Sequence, residues 1–140
     1  MRVILIDPFA CTVTDAVMPD VRPGDYGASA YDGLQAMYRL LSHETMQVDS
    51  LDSVNLGGGN FLVVDGHGQL KRPARWFKFN LHFEVLAGKG LILGADAESN
   101  EIETEYQVSD VDHRVTFYEL VPGLGTDRLR VTRQPWVKPQ

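Results

Sequence analysis

Two short apolar runs, residues 81–87 (LHFEVLA) and 91–95 (LILGA), lie close together and are joined by Gly88-Lys89-Gly90. Both are too short for a helix, and Gly88, Gly90 and Gly94 punctuate them. The pattern predicts a pair of buried strands at the centre of a small sheet. Phe61, Val63, Phe83, Val85, Leu91 and Leu93 are its expected core. Residues 2–6 (RVILI) form a continuous apolar run, the signature of a central strand. Asp7-Pro8 ends it, because proline has no N–H to give to a ladder. Residues 11–17 alternate and predict the return strand of a hairpin across residues 8–10. Residues 60–65 (NFLVVD) predict another strand, preceded by a turn at Gly57-Gly58-Gly59 and a strand within 47–56. Gly66-His67-Gly68 predicts a tight turn, with Gln69-Leu70 starting the return and residues 76–79 re-entering the sheet. Residues 102–108 alternate as an edge strand would, with Glu103 and Glu105 toward water. Over 110–120 two readings stay open, a short helix capped by Ser109 or Asp110 and a strand over 115–118.

Helical spacing is clearest over residues 31–43. Leu34, Met37, Tyr38 and Leu41 fall at i, i+3, i+4 and i+7, which is one apolar stripe. Asp32 is the expected N-cap. Residues 18–30, with Pro19, Pro23, Gly24 and Gly27, predict a loop. The elements together predict an α+β fold, an antiparallel or mixed sheet of five to seven strands packed on one main helix. Residues 1–120 are the expected domain, and 121–140 a basic C-terminal tail.

A chain of 140 residues favours one domain and buries roughly two-thirds of its unfolded surface, enough for a core without staples. The single cysteine, Cys11, excludes an intrachain disulfide and fits a reducing compartment. The opening has no signal-peptide pattern, and no apolar run is long enough to cross a membrane. The expectation is a cytoplasmic protein of a bacterial host cell. A net charge of −6 opposes attraction to nucleic acid or anionic membrane. The charge is unevenly spread. Asp96, Glu98, Glu101, Glu103, Glu105, Asp110 and Asp112 fall in one run without Lys or Arg, whereas residues 121–140 hold Arg128, Arg130, Arg133 and Lys138 against Asp127 alone.

The opening MRVILIDPF with Thr12-Val13-Thr14 resembles the start of a family of small domains of unknown function, encoded by bacteriophages, plasmids and their bacterial hosts. Tyr38-Arg39-Leu40-Leu41-Ser42 leading to Val48-Asp49, the expected hairpin around 61–70, and Leu86-Ala87-Gly88-Lys89-Gly90-Leu91-Ile92-Leu93-Gly94 match as well. The resemblance spans about residues 1–95 and implies a small α+β domain of mobile-element origin. It implies no chemistry.

Candidate chemistry is sparse. Gly57-Gly58-Gly59-Asn60 lacks the Lys-Ser or Lys-Thr pair and the following helix of a nucleotide loop, so a plain turn is the better reading. His43, His67, His82 and His113 are scattered. His82 and Glu84 share a face and His67 sits in a turn, but the spacing supplies no converging set of three or four metal ligands. Cys11 has no evident base partner, and Ser42 and His43 are helix neighbours that do not aim at each other. The expectation is therefore no enzyme, no metal and no cofactor. Lys71, Arg72, Arg75 and Lys78 interleave with Trp76, Phe77 and Phe79, a pattern that can hold phosphates and stack bases. The alternative is an aromatic core with a solvated cationic rim. The acidic run 96–112 is either a solvated edge or a surface for a basic partner. The leading expectation is a non-enzymatic mobile-element protein acting by protein–protein contact through that run. Its partner would be a host protein such as a nucleic-acid-binding enzyme or complex, and inhibition of a host defence system such as CRISPR is one form of this. The alternatives are a small-molecule or nucleic-acid binding module using Lys71, Arg72, Arg75, Trp76 and Lys78, and an accessory subunit of an enzyme. Oligomeric state is left open.

Overall fold

The computed structural model describes residues 1–20, 28–98 and 100–140. The chain opens with a hairpin of β1 (Arg2–Asp7) and β2 (Thr12–Val17), in register from Arg2 opposite Val17 to Asp7 opposite Thr12. The Asp7 carboxylate accepts the N–H groups of Phe9 and Ala10 at 3.0 and 3.3 Å and so fixes the turn. Helix α1 (Ala28–Leu41) follows, then β3 (Leu51–Gly57) and β4 (Asn60–Asp65) as a second hairpin. A single helical turn, α2 (Gly68–Lys71), leads to β5 (Arg75–Phe79), β6 (Val85–Ala87) and β7 (Gly90–Ala95). The two-residue β8 (Glu101–Ile102), the short α3 (Val108–Asp112), β9 (Val115–Val121) and β10 (Arg128–Val131) complete the chain.

The fold is α+β as predicted, with a six-stranded antiparallel sheet in which five strands run in the order β2-β1-β7-β4-β3 and β8 pairs with β7 off this path. Strand β7 is its axis. One edge of β7 pairs with β4 along its length, and the other is shared by β1 and then β8. A second, four-stranded antiparallel sheet runs β10-β9-β5-β6. The single-sheet expectation is thereby corrected. So is the expected central pair, since β6 and β7 belong to different sheets and Gly88-Lys89 carries the chain between them. Two glycines explain the crossing. Gly88 has φ +75, and a Cβ there would meet Met46 Sδ at 2.6 Å. At Gly90 a Cβ would meet Phe77 Cζ at 2.6 Å, so glycine lets the second sheet press on β7. Two-fold alternation divides the first sheet between two layers. Ile4, Ile6, Leu62, Val64 and Ile92 pack on Phe77, Phe79 and Leu86 of the second sheet. Val3, Val63, Leu91 and Leu93 pack on Ala36, Met37 and Leu41 of α1. Continuous apolar runs result because both faces of β1, β4 and β7 are covered.

Several local expectations change. Helix α1 begins at Ala28, so Asp32 lies inside it and not at its cap. Leu34 stands at the margin of the buried stripe and is 40% exposed. The loop expected over 18–30 falls largely on residues outside the described ones, while Met18 is buried, its N–H bonded to the Met1 carbonyl at 2.8 Å. No hairpin forms around 61–70, because α2 diverts the chain into the second sheet. Of the predicted core, Val63, Leu91 and Leu93 are buried and Phe61 and Val85 partly so. Phe83 is 83% exposed, because residues 81–84 form a loop rather than strand. The expected edge strand shrinks to β8. Over 110–120 a short helix and a strand both form, α3 and then β9, but the N-cap of α3 is Gln107, with Asp110 closing the capping box from the first turn, so neither Ser109 nor Asp110 is the cap.

Residues 121–140, set apart as a tail, contribute β10 to the second sheet. Trp136 then packs edge-on against Phe9 and His43, which stack at 3.8 Å. Among the described residues no helix is long and apolar enough to cross a membrane.

Candidate functional site

Where β4 ends, the chain turns sharply and the Asp65 carboxylate organises the turn. It accepts the His67 N–H at 2.8 Å and the Lys71 ammonium at 2.6 Å. Lys71 also reaches the Gln47 carbonyl at 2.6 Å and Asp49 at 3.5 Å. Burial pulls the Lys71 ammonium down, but Asp65 and Asp49 outweigh it and hold it above the ordinary lysine range. Ser50 Oγ lies 3.0 Å from His67 Nδ1 and orients that ring. On the opposite side, the β5–β6 connection is tied down by two backbone bonds at 2.8 Å, Asn80 N–H to the Arg114 carbonyl and His82 N–H to the Phe79 carbonyl.

Between these segments lies a cavity of about 480 Å³, lined by Asp52 of β3, Asp65, His67, Leu70 of α2, His82 and Glu84 among others. That volume lies within the range of small-molecule sites, ~300–1,000 Å³. His82 is mostly buried. Its Nε2 is enclosed without a hydrogen-bond partner among the described residues, and Glu84 Oε2 lies 3.8 Å from it. Leu70, at the lip, is 84% exposed, and Phe83, between His82 and the half-exposed Glu84, is 83% exposed. No three His, Cys, Asp or Glu side chains among the described residues converge in a way that could hold a metal ion. The Ser50–His67 pair has no carboxylate bonded to the second ring nitrogen among the described residues. The arrangement can hold a ligand by charge and hydrogen bonding.

The basic-aromatic segment does not form the surface its pattern suggested. Arg75 is 5% exposed, its guanidinium donating to the carbonyls of Gln134 at 2.6 Å and Pro8 at 3.2 Å. Trp76 is buried and donates its indole N–H to the Pro73 carbonyl at 2.8 Å. Lys71 is held as described, and Arg72 pairs with Asp127 at 2.8 Å. Lys78, in β5, is only partly buried. The five residues are therefore not brought together on one face able to contact a ligand, because β5 is an inner strand of the second sheet. Burial pushes the Cys11 thiol up against the pull of Arg75, which disfavours the thiolate.

The acidic run is distributed over several elements. Asp96 closes its own turn, accepting the N–H groups of Asn100 and Glu98 at 2.9 and 3.0 Å. The Asn100 N–H above all holds its carboxyl below the usual carboxylate range. Glu101 is partly buried on β8, and burial pushes its carboxyl up. Glu103 accepts the backbone N–H of Arg2 at 3.1 Å, and Asp110 completes the cap of α3. Glu98, Glu105 and Asp112 are exposed. No ion pair among the described residues uses any of the seven carboxylates.

Comparison with family models, curated proteins and solved structures finds no match to this chain. Sequence reading had placed His82 and Glu84 on one face and His67 in a turn. It had not joined them, and it had passed over Asp52, because their meeting depends on how the two sheets stack.

Proposed function

We propose that this protein is a non-enzymatic binding module whose contact site is the cavity between α2 and the β5–β6 connection. One observation carries the reading. Three separate segments bring Asp52, His67, His82 and Glu84 to one hollow with an exposed apolar lip at Leu70. Binding is favoured over hydrolysis because, among the described residues, no third group orients the Ser50–His67 pair as a base. A protein partner is favoured by Leu70 and Phe83, since exposed large apolar side chains beside a cavity are the usual anchors of a contact. The setting we propose is the cytoplasm of a bacterial host, as the resemblance to mobile-element domains implies. An NMR screen with small charged and neutral fragments tests the site. Shifts should concentrate on residues 66–70 and 81–87 and vanish in Gln69→Trp, which fills part of the hollow. Shifts confined to another region would refute the assignment.

A second reading keeps the acidic run as the surface that steers a basic partner, on the observation that its carboxylates have no cationic partner among the described residues. Complementary charge accelerates association and is screened by salt. For a partner captured from bacterial lysate, Glu101, Glu103 and Glu105 to Gln should slow association at low salt. An unchanged on-rate would eliminate this surface.

A further inference from the structure

We infer that residues 133–138 form a strap that acid releases, with the His43 ring as its catch. The strap has no strand or helix of its own. It leaves the second sheet at Thr132, whose N–H bonds the Phe117 carbonyl at 2.9 Å. Beyond that point the Gln134 carbonyl accepts from Arg75 at 2.6 Å, the Trp136 N–H donates to the Phe9 carbonyl, and Lys138 lies 3.6 Å from Glu44. The Trp136 ring supplies the packing. It stands at 87° to the His43 ring, 4.9 Å away, and at 88° to Phe9, while His43 and Phe9 stack at 3.8 Å. Arg133, Gln134, Pro135, Val137 and Lys138 are exposed, so this aromatic contact is the main apolar attachment of the strap.

The surroundings of His43 suit the neutral ring. Its Nδ1 accepts the Thr45 N–H at 3.2 Å and lies 2.8 Å from the Thr45 hydroxyl. A proton on Nδ1 would confront that N–H and forfeit the bond, so the ring carries its hydrogen on Nε2. Two carboxylates near the ring would attract an imidazolium, Asp7 at the end of β1 and Glu44 in the turn after α1. Each already faces a lysine, Lys89 of the β6–β7 crossing at 3.8 Å and Lys138 of the strap at 3.6 Å. Burial first, and the Lys89 ammonium second, lower the His43 pKa from its ordinary value against the pull of Asp7 and Glu44. A docked ring therefore holds fewer protons than a ring freed of Trp136. Docking is intact above the ordinary histidine pKa of about 6.5 and weakens as pH falls below it. Release bares the Phe9 and His43 rings and frees a basic segment that carries the Trp136 indole.

The test is NMR of the full chain from about pH 8 to about pH 5, the range in which histidine changes charge. It follows the His43 ring, the Trp136 indole and hydrogen exchange at the Trp136 amide. Trp76, buried with its indole bonded to the Pro73 carbonyl, reports on the rest of the fold. Protection of the Trp136 amide, corrected for intrinsic exchange, should fall at least threefold across the range, in step with protonation of the His43 ring. The Trp76 indole signal should stay in place. His43→Phe keeps a ring that can stack and cannot titrate, and its Trp136 protection should be flat with pH. Trp136→Ala, at a partly exposed site, should raise the His43 midpoint toward its ordinary value, the reciprocal effect that linkage requires. Protection that stays constant, or that rises in acid because an imidazolium is attracted to the aromatic faces, would overturn the inference. So would an acid loss that persists in His43→Phe, or a His43 midpoint unmoved by Trp136→Ala. Loss of the Trp76 signal together with Trp136 would mean that the whole fold opens, and would overturn it as well.

Discussion

In the basic segment, Lys71 is held by Asp65, Arg72 by Asp127, and Arg75 lies under the carbonyls of Pro8 and Gln134. In the acidic run 96–112, none of seven carboxylates pairs with a lysine ammonium or an arginine guanidinium among the described residues. The difference follows from position in the two sheets. Strand β5 is flanked on both edges by β9 and β6, so its residues are drawn into packing and hydrogen bonding. Of the acidic residues, Asp96, Glu103 and Asp110 accept backbone N–H groups, Glu101 is partly buried on β8, and Glu98, Glu105 and Asp112 face water. Charged side chains are matched by opposite charge or carbonyls where the chain enters the interior, and by backbone N–H groups or water where it runs along an edge.

The sharpest way to break this contrast is to delete residues 126–140. The deletion removes β10, Asp127, Trp136 and the Gln134 carbonyl, and it leaves Arg75 buried with one acceptor fewer. We expect loss of the single cooperative urea transition; a preserved sigmoid would make the segment an accessory after all. Arg75→Met should come next. It keeps volume but strands the Pro8 and Gln134 carbonyls, at a cost of about 2–3 kcal/mol. A measured loss under about 0.5 kcal/mol would mean that the cation is idle.

Arg72→Gln should cost little at neutral pH, since its pair with Asp127 is well exposed. Its signature is the pH dependence. The Arg72 guanidinium holds the Asp127 carboxyl below the usual carboxylate range. That contribution is present above the unfolded pKa and is lost as pH falls through the folded one. Wild type and variant should therefore converge in acid, and a gap that persists at low pH would point to lost packing instead. The smallest effect belongs to Glu101, Glu103 and Glu105 to Gln. Glu103 and Glu105 are exposed, and changes at such sites stay within about 0.5 kcal/mol. Burial raises the Glu101 pKa in the fold, so its charge costs stability above that pKa. Glu101→Gln alone should give a slight gain at neutral pH that disappears on acidification, and a loss at pH 7 would reverse the sign argued here.

The elements were largely legible. The alternation and apolar runs of β1, β2, β4 and β7 are local signals, as are the turns between them. Whether β6 pairs with β7 is not local. The pattern around Gly88-Lys89-Gly90 fits a hairpin as well as a crossing, and only the press of Phe77 and Met46 decides. Phe83 misled for a related reason. Its hydrophobicity suggested core, yet the loop turns His82 inward and leaves Phe83 to water. The cavity was illegible because Asp52, His67 and His82 meet only after both sheets are stacked. Trp136 gave a fair signal as an aromatic in a polar segment, but nothing near it named Phe9 and His43 as its neighbours.

The place of β7 between two hairpins also sets an order of events. The β1–β2 and β3–β4 hairpins close over short loops and can form within ~1–10 μs. Strand β7 must then insert between partners that lie far back in the chain, and such distant closures slow folding. The rate-limiting step is expected to be this insertion, with Leu93→Ala slowing refolding more than Val13→Ala relative to the stability each loses. The opposite ranking in a chevron series would place the barrier in the hairpins. Until β7 arrives, the inner edges of β1 and β4 are unpaired strands open to a second copy of the chain, so crowding during synthesis, rather than instability of the finished fold, is where this architecture is most exposed to aggregation.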